Sequence, residues 1–210
     1  MKKTLFLMAL FAVLSASAQE KWSFGPKAGI NIADINLTIP GNDDVVGSKT
    51  GLLVGAFAEF RPIKWFAASA DVLYSRQGAK STYEADNMPD VVHDFDYRLQ
   101  YLNIPILANF YLSRGLALKA GIQPGFLLGA EFRHRPDGES WHEDDIKDLM
   151  KSVEITLPVG ISYTLDCGLI LDVRYNIPLT SIATDITDHL GRNSKKMTNR
   201  VFSLTLGWKF

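Results

Sequence analysis

Ten charged residues of this 210-residue chain sit at alternate positions inside segments that are otherwise rich in apolar residues: Lys27, Glu59, Arg61, Asp71, Lys119, Glu131, Glu154, Asp172, Arg174 and Lys209. Five are bases and five are acids, so the set is able to neutralise itself. Three chemistries are open to it: a salt-bridged and hydrated interior, a file of groups that passes protons or ions, or an acid and a base working as a catalytic pair. Acid–base catalysis would need further partners. The four histidines, His93, His134, His142 and His189, all fall in polar stretches away from these charges, and no Ser/His/Asp set accompanies them. No catalytic residue is therefore assigned, and the chain is read as non-enzymatic. An isolated buried charge costs many kcal/mol, so the expected role of the ten is a mutually paired structural interior.

Other candidate chemistry is weaker. Asn42-Asp43-Asp44 and His142-Glu143-Asp144-Asp145 offer carboxylates of the kind that bind Ca²⁺. Their spacing matches no dedicated loop, so solvated loop charge is expected, with no metal and no cofactor. Trp141 beside His142 suits contact with a sugar or a protein, although loop position alone is unspecific. The single Cys167 has no partner for an internal disulfide and lies in a turn, Asp166-Cys167-Gly168. A formal net charge of −1 argues against a nucleic-acid partner.

The elements that must position the charges are strands. Eight segments alternate with period two, at about 24–33, 50–61, 65–76, 97–112, 116–132, 153–165, 169–180 and 198–210. Outside the amino-terminal region, only 143–151 could form a short helix. The connections alternate in length. Arg61-Pro62-Ile63-Lys64, Ser113-Arg114-Gly115 and Asp166-Cys167-Gly168 are tight turns, whereas 34–49, 77–96, 133–152 and 181–197 read as long polar loops. That is the plan of an all-β, eight-stranded, antiparallel up-and-down barrel whose ends both lie on the short-turn side.

The two faces decide which kind of barrel. One face carries Ile30, Ile32, Val54, Val72, Ile104, Ile106, Ala130, Phe132, Ile161, Val173, Leu204 and similar residues, and none of its members is charged. The opposite face carries the ten charges interleaved with glycines. A soluble lipocalin-like barrel would be the reverse. Charges inside and apolar residues outside make a transmembrane barrel, and its aromatics fall into two groups near the strand ends, as interfacial girdles do.

Both ends of the chain agree. Lys2-Lys3, the apolar run Thr4–Leu14 and the small residues Ser15-Ala16-Ser17-Ala18 read as a signal peptide spanning 1–18, leaving 19–210 as the barrel domain. At the other end Phe202, Leu204, Leu206, Trp208 and Phe210 alternate with Ser203, Thr205, Gly207 and Lys209. So apolar an edge would aggregate in water unless it closed a barrel against lipid.

Several stretches resemble the PorT-like small outer-membrane β-barrel family of Bacteroidetes-type bacteria. Phe24-Gly25-Pro26-Lys27-Ala28-Gly29-Ile30-Asn31-Ile32 is similar to its opening strand, and Tyr101-Leu102-Asn103-Ile104-Pro105-Ile106-Leu107 to its central strand. Ala120-Gly121-Ile122-Gln123-Pro124-Gly125 and Leu171-Asp172-Val173-Arg174-Tyr175-Asn176 follow in matching order. These motifs are structural. The resemblance implies a small integral protein of the cell outer membrane, surrounded by lipid and structural, adhesive or a partner of an envelope or secretion complex. A narrow pore, or an outer-membrane enzyme acting on lipid or peptide, are the alternatives.

The carboxyl-terminal alternation also resembles the signal read by the barrel-assembly machinery, whose contact would be strand addition at a sheet edge. Deleting Phe210, or changing Trp208 and Phe210 together to Ala, is expected to slow assembly in cells more than it destabilises barrels already folded. Heat-modifiable gel mobility checks this. The folded band should be lost in cells and partly recovered on refolding in detergent, and a normal assembly rate would remove the signal role.

Overall fold

A computed structural model describes residues 21–39, 42–85, 88–136, 140–183, 186–187 and 193–210. The signal peptide expected over 1–18 lies outside the described residues. The strands are β1 (Trp22–Ile39), β2 (Asn42–Ile63), β3 (Phe66–Ala85), β4 (Met88–Asn103), β5 (Ile106–Tyr111), β6 (Leu116–Pro136), β7 (His142–Asp145), β8 (Val153–Thr164), β9 (Leu169–Pro178), β10 (Ile186–Thr187) and β11 (Asn193–Trp208). All pairings are antiparallel between neighbours, and β1 pairs with β11 from Lys27–Gly207 to Thr38–Lys196, which closes the ring. β4 and β5 both lie between β3 and β6 and act as one barrel strand, interrupted where Pro105 has no N–H to give the ladder. Counted this way the ring has eight strands: β1, β2, β3, β4 with β5, β6, β8, β9 and β11.

The faces follow the expected registers. Leu52, Val72, Ile106, Ile122, Ile161, Leu171, Leu204 and Leu206 are exposed on the outer wall, while Lys27, Glu59, Asp71, Lys119, Glu154, Asp172 and Arg174 are buried in the lumen. Apolar side chains pointing away from the molecule in a closed ring are explained by lipid. Aromatic contacts cluster at the short-turn rim, with Trp22 on Phe60 (4.7 Å), Phe66 on Phe110 (5.5 Å) and Phe24 near the terminal Phe210 (6.3 Å). The terminal strand is pinned there by main-chain bonds from Phe210 to Phe24 (3.0 Å) and from Lys209 to Gly168 (2.8 Å). Gly168 holds φ +92°, the left-handed conformation that the 166–168 turn requires and that a side chain resists.

Three expectations need correction. First, the stretches taken for long loops are largely strand: β2 runs 22 residues and β6 runs 21, against the roughly 9–11 that cross a bilayer. Beyond the membrane neither face meets lipid, so the period-two signal fades although the ladder continues. Second, 143–151 is not a helix but the short strand β7 followed by a single 3₁₀ turn, Lys147–Leu149. Third, β6 carries a bulge: Tyr101 pairs with Leu127 but Gln100 pairs with Gly129, so Leu128 is extra. Past that point the faces swap. Ala130, expected outside, is buried beside Leu99; Phe132 pairs with Tyr97 on that inner side; and Glu131, expected in the lumen, faces out.

The outer wall makes a quantitative demand. Leu204→Arg or Ile161→Arg is expected to lower stability by about 2–4 kcal/mol if these side chains lie near the bilayer midplane, measured by urea unfolding in vesicles. Leu204→Asn or Ile161→Asn should cost clearly less than the charge. Arginine tolerated at both positions would mean that this face meets water.

Candidate functional site

The chemistry sits in the lumen, in layers. At mid-height β1, β3, β6 and β9 bring together Lys27, Asp71, Lys119, Asp172 and Arg174. Lys27 Nζ donates to Asp71 (2.7 Å) and Asp172 (3.4 Å), and Lys119 Nζ donates to Asp172 (2.9 Å). Arg174 bridges both acids, through Nε to Asp172 Oδ1 (2.8 Å) and Nη2 to Asp71 Oδ2 (2.6 Å). Each side chain is at most 7% exposed. Three cations share two carboxylates, and the remaining positive charge is spread over groups held rigidly by strand backbone; Lys27 also lies 5.2 Å over the Phe57 ring.

Toward the short-turn end a second layer is built around Glu59, which accepts from Asn109 Nδ2 (2.9 Å), the Tyr111 hydroxyl (2.8 Å) and Lys209 Nζ (3.4 Å). Arg61 closes this rim by stacking 3.5 Å over the Tyr111 ring and donating to the Lys64 carbonyl. Above the central charges lies a neutral ladder. Asn31 Nδ2 donates to Ser75 (2.7 Å), Ser203 Oγ donates to Asn31 Oδ1 (2.7 Å), and Asn199 donates to Gln77. Glu154 is buried beside Tyr101 and Asn199 and makes no ion pair among the described residues. Overlapping the top of this ladder, where Gln77 pairs with Leu99 and Asn199 with Ile35, the residues Ile35, Ala79, Leu99, Tyr101, Leu127, Ala130 and Ile182 form a largely apolar plug, with Met150 and Met197 packed on it. A lumen hollow beside Arg174, Asn176 and Ser203 has a volume near 10 Å³, space for about one water.

Of the ten expected lumen charges, the fold joins five in one cluster, places Glu59 and Lys209 in a second and Arg61 at the rim, leaves Glu154 apart, and turns Glu131 outward. The plug was missed because Ile35, Ala79 and Ile182 fall in stretches read as loops, while Leu99, Tyr101 and Leu127 are inward positions of expected strands with nothing in their spacing to bring them together, and Ala130 was expected outside. Trp141 is exposed, with Arg135 5.1 Å over its ring, and His134 stacks on His142 at 5.2 Å. Among the described residues no group of three or more His, Cys, Asp or Glu is placed to hold a metal; the side chains of Asn42–Asp44 lie outside the described residues. Cys167 is exposed in its turn.

Just beyond the lipid-facing belt, where the β2–β3 pairing slips, the strand extensions enclose a hollow of about 610 Å³ lined on its outer side by Lys49, Arg76, Arg98, Gln100, Glu131 and Glu143 and floored by the buried Gln77 and Leu99. Lys49 crosses β3 near Gly78 to bond Asp96, which also accepts from Arg98 Nε (3.0 Å). Burial alone would raise the Asp96 carboxyl, yet these two bonds hold it below the ordinary carboxylate value; burial holds Lys49 below the ordinary lysine value. Gly78 has φ +141° with the Tyr97 carbonyl where a Cβ would stand, so only glycine fits.

An eight-stranded ring, apolar outside and ion-paired inside, is a transmembrane β-barrel, and barrels of this kind reside in the cell outer membrane. The sequence matches the model of the outer membrane protein beta-barrel domain over residues 17–184, and the chain belongs to that family. Among solved structures it is similar to Ail, the attachment invasion locus protein of Yersinia pestis, in complex with the heparin analogue sucrose octasulfate (12% identity, TM-score 0.48, 90% of this chain and 99% of that chain). It is also similar to Neisserial surface protein A (17%, 0.46, 88% and 97%) and to the outer membrane protein OprG from Pseudomonas aeruginosa (12%, 0.44, 90% and 96%). The comparison with curated proteins finds no match.

The central cluster predicts an asymmetric mutational response. Asp172→Asn leaves Lys27, Lys119 and Arg174 facing the single carboxylate of Asp71, and is expected to cost roughly 3–5 kcal/mol. Lys209→Met, at a partly exposed contact with Glu59, should cost under about 1 kcal/mol. Urea unfolding in vesicles measures both, and equal losses would show that the cluster is not an energetic unit.

Proposed function

We propose that this protein is a closed, non-conducting and non-enzymatic barrel of the PorT-like type, anchoring its long extracellular strand extensions in the outer membrane as a structural or adhesive element or as the partner of an envelope complex. The observation that carries this reading is the filled lumen: buried ion pairs at mid-height, a neutral hydrogen-bonded ladder above them and an apolar plug over both. An ion moving along this axis would have to break the shared pairs of Asp71 and Asp172 and then cross a tightly packed, largely apolar segment whose polar groups, Gln77 and Asn199, are bonded to each other. Non-enzymatic action is supported by the sequence, in which all four histidines fall in polar stretches away from the lumen acids and no Ser/His/Asp set accompanies them. The opening strand around Lys27 and the Tyr101–Leu107 strand support the PorT-like assignment, both serving to position lumen residues. The extensions present Trp141 and His142 outward, where a partner could reach them.

Planar-bilayer recording tests the closed lumen. The refolded protein is expected to show no discrete conductance steps at any salt concentration. Simultaneous truncation of Leu99, Leu127 and Ile182 to Ala is expected to leave it silent, because the charged layer beneath still blocks the axis. Regular single-channel steps from the unaltered protein would replace this reading with the narrow-pore alternative.

A further inference from the structure

The outer-wall hollow lies at a particular height. The last row that is apolar on all four strands of this side is Val54, Tyr74, Leu102 and Phe126, which are paired strand to strand, and Leu52 on β2 and Leu128 on β6 are exposed just beyond it. The next outward row is Arg76, Gln100 and Gly129, and the one after is Gly78, Arg98 and Glu131. Two residues of strand advance about 7 Å, and the polar headgroup layer is about 5–8 Å thick on each side of the hydrocarbon. With strands tilted about 35–45°, the Arg76 row stands about 5–6 Å above the apolar row, within the headgroup layer, and the Arg98 row about 10–11 Å above it, where a large headgroup reaches. Because long connections of such barrels face the exterior, this is the outer leaflet.

The charges of the hollow do not cancel. Glu143 is answered by Arg133 (2.7 Å), and Asp96 by Lys49 and Arg98. Arg76 is exposed and makes no ion pair among the described residues; its Nε reaches only the Tyr74 hydroxyl (3.4 Å), with its guanidinium 6.0 Å from that ring. Lys49, Arg76, Arg98 and Arg133 thus face Asp96, Glu131 and Glu143, an excess of one cation, which arises where Lys49 and Arg98 share Asp96 while Arg76 lies in the field of Glu131. Gln100 is held by the Tyr74 hydroxyl, which donates to its Oε1 (2.9 Å), and Glu131 adds an acceptor beside it. A cationic fork next to amide and carboxylate groups matches a phosphate that also bears hydroxyl or amine groups. The volume lies within the roughly 300–1,000 Å³ typical of small-ligand sites.

We propose that this hollow holds the phosphorylated headgroup of an outer-leaflet lipid, with Arg76 and Arg98 on the phosphate and Gln100 and Glu131 on its hydroxyl or amine groups. A free anion would meet an excess of a single positive charge in water, which binds weakly. A lipid is different because Val54, Tyr74 and Leu102 hold its chains directly below, so the headgroup is supplied at high effective concentration. The fold builds the hollow on purpose-made irregularities. The β2–β3 register slips between Ser48 and Leu53, Gly78 opens the wall, and the β6 bulge turns Glu131 outward.

The test uses the full-length barrel refolded into phosphatidylcholine nanodiscs containing a small fraction of a bis-phosphorylated glucosamine-disaccharide lipid or its dephosphorylated form. Native mass spectrometry after release into detergent counts the lipid retained. The unaltered protein is expected to retain the phosphorylated form roughly tenfold better, a difference of one charge-assisted contact. Arg76→Ala with Arg98→Ala should abolish that preference while heat-modifiable mobility reports a folded barrel; Arg76→Gln serves if the double variant does not fold. No preference in the unaltered protein overturns the proposal without any variant, and so does an unchanged preference in a folded variant. Displacement of the retained lipid by inorganic phosphate or a soluble sulfated sugar would assign the site to free anions and overturn the lipid reading.

Discussion

In hydrocarbon every main-chain N–H and C=O must find a partner within the protein, because no water is there to supply one. The pairing of β1 with β11 meets that demand by removing the two edges the sheet would otherwise have. Much else is a consequence of closure. A ring of eight strands is just wide enough for side chains to fill, so the interior had to be packed rather than left open. The interruption at Pro105 is tolerated because the Asp71 N–H bonds the Pro105 carbonyl (3.0 Å) and the Ile104 N–H bonds that of Pro124 (2.9 Å), keeping the ladder satisfied on both sides of the break.

Filling the interior with charge is an unusual solution, since desolvating ions is costly. It works here because each of the two carboxylates is shared by at least two cations. Asp172 receives Lys27, Lys119 and Arg174, while Asp71 receives Lys27 and Arg174. These residues lie on four different strands, so the cluster also cross-links the ring through its axis. The neutral ladder and apolar plug above it separate this charged layer from the outside. Glu154 is the exception: a buried acid beside Tyr101 and Asn199 that makes no ion pair among the described residues.

Beyond the membrane the same strands serve another purpose. Freed from the lipid constraint, β1 to β4, β6 and β11 continue as hairpins that carry charged pairs such as Arg135 with Asp94 (2.6 Å) and Arg133 with Glu143. A bulge, a register slip and a left-handed glycine bend this part of the wall, and bulges are where sheets re-aim side chains. The cationic hollow results from that bending, at the height where lipid headgroups lie.

The sequence by itself determined the barrel. Alternation in the eight membrane-facing segments was legible because lipid on one side and a packed lumen on the other impose opposite chemistries on neighbouring residues. Nine of the ten charges accordingly lie in the lumen or at its short-turn rim. What the tertiary structure alone decided is which of them meet: nothing in the spacing of Lys27, Asp71, Lys119, Asp172 and Arg174 says that strands far apart in sequence set them at one height. Nor could the sequence place Glu131, Ala130 or Phe132, since one extra residue, Leu128, inverts every face after it and leaves no mark in the alternation. The extracellular strands were read as loops for a related reason. Where water replaces lipid on the outer side, hydrogen bonding still holds a strand straight but the outer face no longer has to be apolar, so the few inward residues such as Ile35 and Ala79 stand out from no alternation.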